Sequence, residues 1–133
     1  MDHVEKIKVG DDIYAIILKK EYNKPGSVYV TPVEFPQQLG MLIHSKGKIV
    51  KRHQHKLIKR KRFRAQEVLV ILDGKIRVDL YDNKIELLKS AFLSSGDTIL
   101  LAEGGHRVEI LEDAKIINLK QGPHIGFDDK EFF

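Results

Sequence analysis

The sequence predicts an all-β domain, and three observations carry that prediction. Short apolar or β-branched segments alternate with turn residues roughly every 8–12 residues, the rhythm of a sandwich or barrel. In residues 75–81, Ile76, Val78 and Leu80 alternate with Lys75, Arg77 and Asp79, as expected of a strand with one buried face. The one helix-compatible stretch, residues 31–38, contains Pro32 and Pro36, which confine it to about a turn.

Taken in order, residues 13–18 form an apolar strand, and Asn23-Lys24-Pro25-Gly26 turns the chain. Residues 27–33, rich in Val, Tyr and Thr, are the next strand, and residues 39–44 another, ended by Lys46-Gly47. Residues 67–72 and 75–81 flank Asp73-Gly74, which reads as a two-residue hairpin. Asp82-Asn83 turns into a strand over 84–88, and Ser94-Ser95-Gly96-Asp97 precedes one over 98–101. Glu112-Asp113 separates strands at 107–111 and 114–120. The expectation is about nine or ten strands in a single domain spanning residues 1–133.

Composition narrows the function classes. The chain has no cysteine, so disulfides and thiolate metal sites are excluded. No apolar run reaches the ~18–20 residues of a spanning helix, so no membrane partner is expected. MDHVEKIKVGDDIY has acids where an export signal has a basic and then an apolar region, which leads us to expect a cytoplasmic protein. The net charge of +4 is concentrated: residues 51–64 hold eight lysines and arginines and no acid, and removing them leaves the rest at −4. A nucleic-acid binder more often spreads positive charge over a whole face, and only Phe63 interleaves this run, so nucleic acid is the weakest partner reading.

The chemistry-bearing residues are histidines and one carboxylate. His53 and His55 sit at i and i+2, which places both imidazoles on one face of a strand. Glu67 opens the next strand, and His106 ends a Gly104-Gly105 turn further on. Three imidazoles and a carboxylate suit one divalent transition ion such as Fe, Mn, Ni, Zn or Cu, and leave up to about two places open on a six-coordinate ion. His44 reads as an ordinary half-buried strand histidine, and His3 and His124 have no assigned role. Arg77 and Tyr81 are expected at the surface. Lys120 and Gln121 close the last strand, where the lysine either meets an anion or pairs with Glu67, or is a surface lysine that merely closes the strand. Arg60 and Lys61, in the basic run beside the expected barrel mouth, suit a carboxylate or phosphate, the other reading of the run being a solvated loop or dimer contact.

The order HQH, a glutamate with six residues before a glycine, and a Gly-Asp-led strand ending in Gly-Gly-His resembles the two motifs of the cupin superfamily. The resemblance covers about residues 39–121. It implies an antiparallel jelly-roll β-barrel with the ion in its mouth, and His53, His55, Glu67 and His106 match the four ligand positions. QEVLVILDGKIRVDLYD, GDTILLAEGGH and LKQGPH are similar to small single-domain cupins of unassigned activity, some encoded beside surface-polysaccharide sugar genes. The chain departs from the common pattern in four places. Eleven residues separate His55 from Glu67, Ala102 stands where proline is usual, His106 comes one residue early, and position 110 is Ile instead of Asn.

The resemblance therefore implies a metal-binding protein that acts on or binds a small anionic molecule, a sugar or sugar-nucleotide derivative being the most concrete guess. As an enzyme it would be a metal-dependent isomerase, epimerase or oxygenase. The alternatives are a non-catalytic sensing module and, last, a nucleic-acid binder using the 51–64 loop. A homodimer is expected, since cupin-like barrels often dimerise, and an N-terminal strand is available to lie across the partner copy.

Overall fold

The computed structural model describes residues 2–49, 51–52, 66–120 and 133. Its strands are β1 (Val4–Val9), β2 (Asp12–Leu18), β3 (Gly26–Tyr29), β4 (Gly40–Ile43), β5 (Glu67–Tyr81), β6 (Leu87–Ser94), β7 (Thr98–Leu101) and β8 (Gly105–Lys120). Among the described residues there is no helix, and so none long and apolar enough to cross a membrane. Six strands form one antiparallel sheet in the order β1-β2-β7-β5-β6, with β8 on the other edge of β5. β3 and β4 form a separate two-stranded ribbon. β1 pairs with β2 of its own chain.

β5 organises the sheet. Along one edge it pairs with β7 over residues 67–70 and with β6 over residues 75–81; along the other it follows β8 for its whole length. Glu67 lies opposite Lys120, and Leu80, thirteen positions on, lies opposite His106. On a straight strand those positions would be about 40 Å apart. Yet the side chains of Glu67 and His106 approach to 3.4 Å. The β5–β8 ribbon must therefore double back on itself, and it does so where the register slips, between Ile71 and Ile76. The result is a curled sheet forming a half-barrel.

This corrects two readings of the sequence. Asp73-Gly74 is not a hairpin turn, because its flanking segments pair with β6, β7 and β8 and not with each other. It is a bend within one strand: Gly74 has φ 88°, and Asp73 Oδ1 accepts a hydrogen bond from the Gly74 amide at 3.0 Å. Glu112-Asp113 likewise bends β8 without ending it, so the two bends stack. The strand expected over 84–88 begins later, at Leu87. Asp82 Oδ1 accepts from the amides of Lys84 (2.8 Å) and Glu86 (3.0 Å), forming a local turn that forces Ile85 to φ 64°. Eight strands stand among the described residues, fewer than expected mainly because both bent pairs are continuous.

Alternation sets the faces. Leu69 and Ile71 point into the same cluster as Ile76, Val78, Leu80, Leu93, Ile99 and Leu101, which fills the concave side. The parity changes across the bend, as the slipped register requires. Ile71, Ile76 and Val78 are fully buried, each contributing about 1.5–3 kcal/mol by leaving water. On the convex side Ile16, Val68, Leu100 and Ala102 are covered by Ile13, Val30, Phe35 and Leu39. Residues 31–38 are turns, tied by Thr31, whose hydroxyl donates to Gln38 Oε1 at 2.9 Å.

Two polar groups hold the curl. Buried Asp97 accepts hydrogen bonds from the amides of Ser94 (2.9 Å) and Lys20 (3.3 Å) and from Lys19 Nζ (3.3 Å), fixing the β6–β7 turn onto the end of β2. This is a structural reason for the Gly-Asp pair noted in the sequence. On the convex face Asp79 accepts from Ser90 on β6 (2.6 Å) and Arg107 on β8 (3.3 Å), and Arg77 bridges it to Glu109. The Ser90 hydrogen bond, with the two arginines, holds the Asp79 carboxyl below its ordinary value. Arg77 was expected at the surface, and it is there, half-exposed within this network.

Candidate metal centre

Glu67 lies on the concave face with Leu69 and Ile71, at the open end of the half-barrel. His106 shares that face with its register partner Leu80. What carries the chain to His106 is the glycine pair before it. Gly104 has φ 75°, and a Cβ there would fall 2.2 Å from the Tyr81 carbonyl oxygen and 2.8 Å from the Tyr14 ring. A Cβ on Gly105 would meet the Phe133 ring at 2.6 Å, and that ring stands edge-on to Tyr81. Glycine is a geometric requirement at 104, where φ is positive and the close contact is with backbone, whereas at 105 only a side-chain ring stands in the way.

The two sequence-predicted ligands within the described residues thus converge. His106 Nε2 lies 3.4 Å from Oε2 of Glu67, while Asn118 Nδ2 donates to Oε1 at 2.5 Å. Lys120, directly opposite Glu67 on β8, adds positive charge. The His106 hydrogen bond is the largest influence on the Glu67 carboxyl; with Asn118 and the charges of His106 and Lys120 it outweighs burial and pulls the group from 4.5 to about 2. Both side chains remain partly open to solvent, at 35% for His106 and 23% for Glu67.

His53, His55, Arg60, Lys61 and Gln121 lie outside the described residues. Among the described residues no group of three or more potential ligands gathers in the manner of a metal site. The Glu67–His106 pair nevertheless fits one: two donors each about 2.1 Å from a shared ion stand roughly 3.0–3.4 Å apart at octahedral and tetrahedral angles. His44 takes no part. It is exposed just past the end of β4, 2.9 Å from Ser27 Oγ, not half-buried on a strand as expected. Asn118 was missed by sequence reasoning. The signal was present, since Asn118 and Lys120 are two apart on one strand and share the Glu67 face.

The shifted carboxyl predicts a pH dependence of the metal-free protein. A folded value below the ordinary one stabilises the fold fully above about pH 4.5, and that contribution fades as pH falls toward 2. Because the pair is partly solvated, its contribution is about 1–2 kcal/mol. Acid titration of urea midpoints should therefore fall more steeply between pH 4.5 and 2 in wild type than in Glu67→Gln. Parallel profiles would show that the interaction contributes nothing.

Comparison with protein-family models, curated proteins and solved structures finds no match for this chain.

Proposed function

We propose that this chain is a cupin-type jelly-roll protein in which His53, His55, Glu67 and His106 hold one divalent transition ion, Fe, Mn, Ni or Zn. The observation that supports this best is the 3.4 Å approach of Glu67 to His106, from opposite ends of a ribbon that must double back to join them. Their partial exposure leaves both side chains within reach of a small molecule from solvent. Lys120, directly opposite Glu67, favours an anionic one, as does the basic character of Arg60 and Lys61 and the polar Gln121 in the sequence, and a sugar or sugar-nucleotide derivative is the substrate class we put first. The ion would supply Lewis-acid or oxygen-binding chemistry. Glu67 and His106 would hold it, and Lys120 would neutralise the incoming charge. We place the protein in the cytoplasm as a homodimer.

Elemental analysis of untagged protein, with and without chelator, tests the reading. Wild type should carry close to one ion per chain, and His53→Ala or His106→Ala should lose most of it. The apo form should still fold, because the core of β5–β7 is apolar, with a lower Tm through lost ligand linkage. Protein that stays metal-free when offered Fe, Mn, Ni, Zn and Cu in turn would overturn the assignment.

A further inference from the structure

Asn118 gives the two oxygens of Glu67 different surroundings. Its amide donates to Oε1, while Oε2 faces His106 Nε2 at 3.4 Å. Asn118 is opposite Leu69 on β8, and Glu67 is two residues from Leu69 on the same face, so this is a diagonal cross-strand contact between neighbouring strands of one rigid sheet. A carboxylate can bind an ion through one oxygen or through both. With both, it occupies one more place around the ion than with one. An amide hydrogen bond to Oε1 competes with its use as a second metal-binding oxygen, because partners beyond the ligands fix ligand orientation.

We propose that Asn118 is a positioning residue that keeps Glu67 a one-oxygen ligand, and that the place so spared suits the site to molecules gripping the ion through two oxygens, such as hydroxy acids and hydroxyketones. This rests on the metal reading above and names the ligand chemistry of that site. The concave surface around the pair agrees with a small ligand of this kind. Leu69, Leu80 and Leu101 form an apolar floor, and Lys120 supplies charge at the Glu67 side for a carboxylate or ionised hydroxyl. Without the Asn118 donor, Oε1 is free to turn onto the ion, and an incoming two-oxygen ligand must displace it.

The test uses the full chain loaded with Co(II), whose visible absorption reports its ligands, and acetohydroxamate as a two-oxygen probe. Asn118→Leu and Asn118→Val remove the donor on an exposed strand position, the second guarding against a packing fault peculiar to the first. The metal should be retained within about threefold while acetohydroxamate affinity falls about tenfold or more, the scale set by removing one charge-assisted hydrogen bond. The absorption spectrum of the probe-free Co(II) protein should also change as Glu67 takes up its second oxygen. A structural role alone would lower metal and probe affinity together along with Tm, and that pattern would overturn the proposal. So would unchanged probe affinity in both variants. If wild type takes up no Co(II), the metal reading fails first, and this inference with it.

Discussion

Replacing Gly74 with alanine should destabilise the fold by about 3 kcal/mol, lowering Tm by roughly 10 °C. Two costs add. Gly74 sits at φ 88°, where a side chain costs about 1–2 kcal/mol. A Cβ there would also fall 2.2 Å from the Asp113 carbonyl oxygen and 2.7 Å from the Ala114 Cα, both backbone atoms of the stacked bend in β8. Neither can move without opening the ribbon. Gly47 is the natural control, because it has φ 95° but nothing within 4 Å of the place a methyl would take. Gly47→Ala should therefore lose only the backbone part, about 1–2 kcal/mol. Urea unfolding of both variants separates the two costs. Equal losses would mean that the bends of β5 and β8 are not packed as described. The folded fraction of Gly74→Ala should also hold metal less tightly, since the bend is what carries Glu67 to His106.

Glu67→Gln should keep the fold but lower metal affinity by about 10–100-fold and, in an enzyme, turnover by about a hundredfold or more. The substitution preserves shape and removes the negative charge. It also turns an acceptor into a donor: with its oxygen kept on Asn118, the new amide nitrogen faces His106 Nε2, which now stands opposite the acceptor Oε2. His106 must switch its proton to the other ring nitrogen, or the hydrogen bond breaks. Nucleotide-sugars, keto-sugars and small carboxylic acids, offered with and without oxygen, are the substrates to screen. Turnover by wild type and its collapse in Glu67→Gln would establish catalysis. A reproducible ligand never consumed with any metal would instead make the protein a binding module.

The sequence alone determined the all-β class and the alternation that buries Ile76, Val78 and Leu80, and it singled out Glu67 and His106, whose side chains approach to 3.4 Å. Those depend on local properties: the two-residue period of a strand, the turn preferences of glycine and aspartate, and the chemistry of imidazole and carboxylate. The tertiary structure decided what Asp73-Gly74 does. The same dipeptide satisfies a hairpin or a bend within a strand, since both need a residue at positive φ; the choice belongs to β8, which pairs with both flanks and bends beside them. Only that long-range pairing turns a ribbon about 40 Å long back on itself. It also decided the place of Asn118, an ordinary strand residue in the sequence whose function depends on which carboxylate stands diagonally across the sheet, and no local pattern encodes a cross-strand register.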